Sequence, residues 1–233
     1  MNEPTRSVEW IVWGGLGLVI VGVFGAFLLS ESSRRHSSSG SLPPILGTLP
    51  DFVLTNQTGS AVTLKDLRGQ VWVADIIFTR CPGPCAKMTR QMAELQAALP
   101  AGQPVKLLSL TTDPDFDSPA VLQQYAERFG AEPERWWFLT GAKPELLRLA
   151  VDGLKLTTIE KKPEERENPS DLFIHSTIFV AVDRQGRLRG VFETQTEEYD
   201  EAGRPRTGID PVAGWTAARA RIVALVNQLL KEK

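Results

Sequence analysis

Cysteine is nearly absent from this chain, with two residues in 233. That is too few for the disulfide framework of a small secreted domain, and no second pair exists to complete a four-cysteine zinc site. Histidine is equally scarce: His36 and His175 are the only two. Positive charge is not in surplus either. Lys and Arg number 26 against 28 Asp and Glu, a formal net charge of −2, with the signs interspersed. Without a basic stripe or an aromatic–basic array, the chain lacks the electrostatic footprint of a nucleic-acid binder. Internal repeats are missing, and so is an Arg-rich leader. Residues 1–9 form a short flank with Glu3 and Glu9 beside a lone Arg6, unlike an organellar transit peptide.

What remains is a globular composition, 42% hydrophobic and 23% charged. It argues against disorder and allows one domain with a substantial core once the ends are set aside. The N-terminal end is apolar. Residues 10–29, from Trp10 to Leu29, carry no charge, and about 20 such residues suffice for a helix to cross a bilayer core. Trp10 and Trp13 stand where an interfacial aromatic belt would lie. The run is longer than the apolar region of a signal peptide and lacks its basic flank, so a retained single transmembrane helix is expected. Residues 30–44 are rich in Ser, with Gly40, Pro43 and Pro44, and read as a flexible tether that stiffens toward a domain of residues 45–233. Arg34 and Arg35 outnumber Arg6, which by the positive-inside rule would leave that domain inside. The margin is one charge, offset by the N-terminal amine, and the chemistry below decides for the opposite side.

From residue 45 the patterning alternates between strand and helix. Phe52–Leu54 and Ala61–Leu64 read as a hairpin turned at Gly59, with a helical turn closed by Gly69 behind it. Val71–Phe78 is a β-branched, aromatic run, the pattern of a buried strand. It ends at Cys81-Pro-Gly-Pro-Cys85, where an amphipathic helix begins. Met88, Met92, Leu95 and Leu99 share one face of that helix, which assigns the methionines to the core rather than to a metal. Val105–Leu110 is a second buried strand. Ser118 caps the next helix with Pro119 at its first position, and Val121, Leu122, Tyr125 and Phe129 form its apolar face. Trp136–Leu139 follows as a strand, Lys143–Val151 as a helix ended by Gly153, and Lys161–Ser170 as a charged surface loop. Ser176–Val182 and Leu188–Phe192 read as strands joined at Asp183–Gly186. Glu193–Pro211 reads as an exposed insertion, and Ala213–Leu230 as a closing amphipathic helix. This order predicts an α/β, thioredoxin-like fold.

The cysteines lie where a strand hands over to a helix. Orphan backbone N–H groups and the positive end of the helix dipole favour thiolates there. Thiolates exchange disulfides and hold soft metals, and Cys81 and Cys85 suit either task. Pro82 and Pro84 lower the entropic cost of holding the two sulfurs together. Monovalent copper prefers soft thiolates and accepts few ligands, so two sulfurs and one imidazole satisfy it. The candidate imidazole is His175, at the end of a polar loop and just before a strand; taken alone, that position suits a capping or solvated histidine. His36, among serines, reads as solvated.

These residues resemble the Sco/SenC family. The resemblance rests on Phe78-Thr-Arg-Cys-Pro-Gly-Pro-Cys85, on Asp113-Pro-Asp-Phe-Asp-Ser-Pro119, and on His175-Ser176 ahead of Phe179–Asp183 and Gly186. It implies a membrane-anchored, thioredoxin-like metallochaperone that serves the dinuclear copper centre of cytochrome c oxidase, with Cys81, Cys85 and His175 as the copper ligands. The cofactor implied is copper. The implied partners are the oxidase subunit that carries the copper centre, a copper donor protein and a thiol reductant. The implied location is the inner membrane of a bacterium, with the domain on the periplasmic side. Asp113 and Asp117 match the family's acidic loop, and as carboxylates they are poor ligands for soft copper. Ala86 stands where the family often has Pro. Ile174 precedes the histidine where many members have Asp, which removes a polar partner from beside the ligand. A thiol–disulfide oxidoreductase using Cys81 and Cys85 is the alternative. A peroxidase of related fold is disfavoured, because a distant resolving cysteine is missing.

Overall fold

Residues 13, 15–25, 43–81, 83–166, 168, 171–194 and 211–232 are described in the computed structural model, and the chain falls into two units, Met1–Pro43 and Pro44–Lys233. In the first unit residues 15–25 are helical, with Leu18, Val21 and Phe24 exposed. No helix of the described residues is long and apolar enough to cross a membrane. The remainder of the apolar run, the tether as far as residue 42, and His36 lie outside the described residues.

The second unit runs β1 (Gly47–Thr48), β2 (Val53–Asn56), β3 (Ala61–Thr63), α1 (Leu64–Leu67), β4 (Val71–Ile77), α2 (Cys85–Ala98), β5 (Val105–Thr111), α3 (Pro119–Arg128), β6 (Trp136–Thr140), α4 (Lys143–Leu147), β7 (Thr158–Glu160), β8 (Phe173–His175), β9 (Ile178–Val182), β10 (Arg187–Glu193) and α5 (Pro211–Lys231). One sheet has the order β1-β10-β9-β4-β5-β6-β2-β3, and β7 and β8 form a separate hairpin. β4 runs parallel to β5, and β5 to β6, while β9 lies antiparallel to β4. Helices between parallel strands and a closing hairpin give the expected thioredoxin-like α/β arrangement.

Strand β4 is buried at every position because both faces of the sheet are covered. Val71, Val73 and Ile77 face the cluster built with α2, α3 and α5. Trp72, Ala74 and Ile76 face the other, built with α1, α4 and the chain around Leu154. Period-2 alternation therefore puts Asp75 on the α2 side. Met88, Met92 and Leu95 are fully buried and Leu99 nearly so, in keeping with their reading as core. Ser118 caps α3 by accepting from the Val121 N–H at 3.4 Å. Gly59 and Gly186 both turn in the left-handed region, at φ 81° and 76°.

Three features depart from the sequence expectation. The helix from Lys143 widens at Arg148 into a π turn in which the Leu154 N–H bonds to the Leu149 carbonyl at 2.9 Å. It ends at Gly153, whose Cα lies so close to Pro50 that a Cβ would meet it at 3.0 Å. On either side of the charged loop the chain pairs as the β7–β8 hairpin, Thr158 with His175, Ile159 with Ile174 and Glu160 with Phe173. β9 begins two residues later than expected, because the Ser176 N–H is bonded to the Thr157 carbonyl at 2.9 Å and the Thr177 carbonyl accepts from the Thr194 N–H at 3.2 Å. The insertion lies outside the described residues from 195 to 210.

Candidate metal centre

The β4–β5 ladder ends at Ile77 paired with Thr111. Beyond it the chain makes a turn, closed by the Cys81 N–H donating to the Phe78 carbonyl at 3.2 Å. Pro84 is the N-cap of α2 and offers no side-chain acceptor, so the first-turn N–H groups stay available. Cys85 opens the helix and is 1% exposed, while Cys81 is half-buried at the rim. Both are free thiols.

His175 reaches the pair from ninety residues away. It closes β8, and the alternation of that strand turns Phe173 and His175 toward Phe78, at ring-centroid distances of 5.2 and 5.9 Å. Ile174 points outward and is 54% exposed. His175 Nδ1 lies 3.1 Å from the Ser176 carbonyl. A carbonyl only accepts, so Nδ1–H donates to it, and in the neutral ring the lone pair on Nε2 faces the sulfurs. Nε2 is 3.1 Å from Cys85 Sγ. One donor atom from each of Cys81, Cys85 and His175 lies within 4.8 Å of the others, the one such three-ligand group among the described residues. The partner that Ile174 was expected to withhold is thus supplied by the main chain.

The two thiols titrate as a pair. Hydrogen bonding from the Cys85 thiol, with further help from the N–H groups of Cys85 and Gly83, holds Cys81 well below the usual thiol range. Burial and the adjacent Cys81 push Cys85 up. The metal-free state is therefore a thiolate at the rim with a thiol beneath it. Asp75 adds a feature not singled out from the sequence. It is fully buried, neither carboxylate oxygen has a hydrogen-bond partner, and burial raises its pKa to about 7. An acid in the middle of Val-Trp-Val-Ala-Asp-Ile-Ile-Phe was the available signal.

Asp113 and Asp117 do not join the donor atoms. They bond instead to Arg80 and Thr79, the residues leading into Cys81. Two thiolate sulfurs and one imidazole nitrogen form a soft set, one ligand short of a closed structural zinc site. Such a set fits monovalent copper.

Comparison with known proteins shows the family. The SCO1/SenC family model matches residues 46–204. The SCO1 protein homolog of Bacillus subtilis (strain 168) is 34% identical over 161 residues, covering 68% of this chain and 80% of that protein. The structure of BsSco, a member of the Sco family of cytochrome c oxidase assembly proteins in which a disulfide switch was identified, superposes with a TM-score of 0.62 at 27% identity, covering 83% of this chain and 100% of the other. Copper-bound yeast Sco1 superposes with a TM-score of 0.56 at 25% identity, covering 82% and 96%.

Proposed function

The chain belongs to the SCO1/SenC family, and from that premise we propose that it is a membrane-anchored copper chaperone for the dinuclear copper centre of cytochrome c oxidase. The observation that carries this reading is the convergence of Cys81, Cys85 and His175 donor atoms within 4.8 Å. Relatives support it: yeast Sco1 has been seen with copper bound, and BsSco belongs to a family of oxidase assembly proteins. Cys81, half-exposed, is the ligand that an incoming donor or a receiving site can reach first. Cys85 and His175 complete the site from below. The Cys85 thiol must give up its proton as it becomes a ligand, so uptake releases a proton. Residues 10–29 anchor the protein in the inner membrane, and the domain works on the periplasmic side, where the copper-centre subunit of the oxidase is the recipient. A copper donor loads the site and a thiol reductant keeps the pair reduced, since a disulfide cannot ligate.

Anaerobic titration of the reduced full-length chain in detergent with Cu(I), against a chromophoric chelator, tests the reading. One tightly held copper per chain is expected, with Cys81→Ser, Cys85→Ser and His175→Ala all weakening it. Unchanged binding in Cys81→Ser overturns it.

The second reading is a thiol–disulfide oxidoreductase, favoured by the rim thiolate of Cys81 above the Cys85 thiol. It needs both cysteines and no imidazole. If oxidase assembly survives His175→Ala but not either cysteine substitution, the redox reading replaces the copper one.

A further inference from the structure

The turn that presents Cys81 lies beyond the last rung of the sheet. β4 is paired with β9 only as far as Ala74 and with β5 as far as Ile77. Within residues 78–81 the one internal main-chain bond is that from the Cys81 N–H to the Phe78 carbonyl. Its two central residues are each held by an aspartate from the 112–118 loop. Asp117, 0% exposed, accepts from the Thr79 N–H at 3.1 Å, from the Thr79 hydroxyl, and from the Thr111 hydroxyl at the end of β5. Asp113, 6% exposed, accepts from Arg80 Nε at 3.1 Å and Nη2 at 2.7 Å. The Arg80 guanidinium also lies over the Phe116 ring, 4.1 Å from its centroid. The loop is folded onto itself by the Asp117 N–H donating to the Asp113 carbonyl at 2.8 Å, and by the Asp113 N–H donating to the Thr111 hydroxyl at 2.9 Å.

A buried carboxylate is costly unless it is hydrogen-bonded. Asp117 has its donors from the ends of two neighbouring strands, and both Thr79 bonds act on a residue two positions before a ligand. We propose that Asp117 and Asp113 are positioning residues that lock the Phe78–Cys81 turn and so set where Cys81 Sγ stands relative to Cys85 and His175. The inference rests on the copper-site reading and deepens it by adding the groups that fix the exposed ligand. The two acids touch neither sulfur nor imidazole; they act through Thr79 and Arg80. Loss of the clamp lets Cys81 swing away while Cys85 and His175 keep their places.

The test compares Thr79→Val, which keeps the shape and loses the hydroxyl, with Thr79→Ser, which keeps the hydroxyl, and with Arg80→Gln at a partly exposed site. Each full-length variant is read three ways: Cu(I) affinity by chelator competition, the equilibrium of the Cys81–Cys85 pair with oxidised and reduced glutathione, and the melting temperature. In the second, two thiols and one oxidised glutathione give the protein disulfide and two reduced glutathiones. Thr79→Val and Arg80→Gln are expected to lose about tenfold in copper affinity, as for loss of a group that orients a ligand. They are expected to shift the glutathione equilibrium toward the dithiol by a similar factor, while Thr79→Ser stays near wild type. A lower melting temperature with both affinity and equilibrium unchanged overturns the clamp, leaving the acids a purely structural role. If Thr79→Val fails to fold, Arg80→Gln decides. If wild-type protein takes up no copper, the proposed function falls, and the glutathione equilibrium alone decides the clamp.

Discussion

Asp75 shows how one side chain can sit at odds with the core around it. Its neighbours on the same face, Val73 and Ile77, are fully buried apolar residues, and burial raises its carboxyl from 3.8 to about 7. The folded state thus favours the protonated acid, whose stabilising effect is fully present below the unfolded pKa and is lost as pH rises through the folded one. Holding it ionised at pH 8 costs on the order of 4 kcal/mol. In reduced, metal-free protein, Asp75→Asn should match the wild type near pH 4, within about 1 kcal/mol, and gain on it steadily up to about pH 8. Urea denaturation at a series of pH values reads this difference, with both proteins carrying Cys85→Ser to remove the thiol whose titration Asp75 influences. A constant offset across the range would mean that Asp75 does not titrate there. Ile174 makes the contrary case: a residue beside a ligand in sequence is remote from it in space. One-residue alternation turns it to solvent, and the Ser176 carbonyl orients the imidazole.

The β7–β8 hairpin is the element that brings His175 to the two cysteines. Its apolar hold on the rest of the domain includes Phe173, whose ring meets Phe78 edge-on at 5.2 Å and lies under Lys143 at 5.9 Å, beside the Lys143–Glu160 ion pair at 2.5 Å. The Lys161–Asp171 ion pair at 2.6 Å ties the base of the loop. Phe173→Ala should cost about 2 kcal/mol of stability through lost packing and the lost aromatic pair. Because His175 is two residues on along the same face, copper affinity should fall with it, whereas Phe173→Leu should preserve most of both. Calorimetry paired with chelator competition checks the link, and a destabilised Phe173→Ala that binds copper like the wild type would break it. This hairpin also marks where the sequence stops being readable. β4, α2 and the Ser118 cap announce themselves through local periodicity and capping chemistry, and the two cysteines through their place between strand and helix. β7 and β8 are three residues each and twelve apart, so their pairing is set by tertiary contact with Phe78 rather than by pattern. His175 was reachable through scarcity and resemblance. Its packing, its carbonyl partner and the buried Asp75 beneath the site required the fold.

At the scale of the whole chain, the charges flanking the apolar run and the chemistry of the domain point in opposite directions. Arg34 and Arg35 against Arg6 favour a domain left inside, while the proposed service to an oxidase copper centre requires the periplasmic face. The charge argument is the weaker one, since a single excess charge, countered by the N-terminal amine, is about 1 kcal/mol of attraction to an anionic membrane surface. The site argument rests on three residues that serve no evident purpose without a metal or a redox partner. A reporter active only after export, such as alkaline phosphatase fused after residue 40, discriminates between them. Membrane-bound, active phosphatase is the expected result, and activity in the soluble periplasmic fraction would instead reveal a cleaved leader. An inactive fusion, with a cytoplasmic reporter at the same site active, would place Cys81 and Cys85 in the cytoplasm. Delivery to a periplasmic copper centre would then be ruled out, whatever the domain's affinity for the metal.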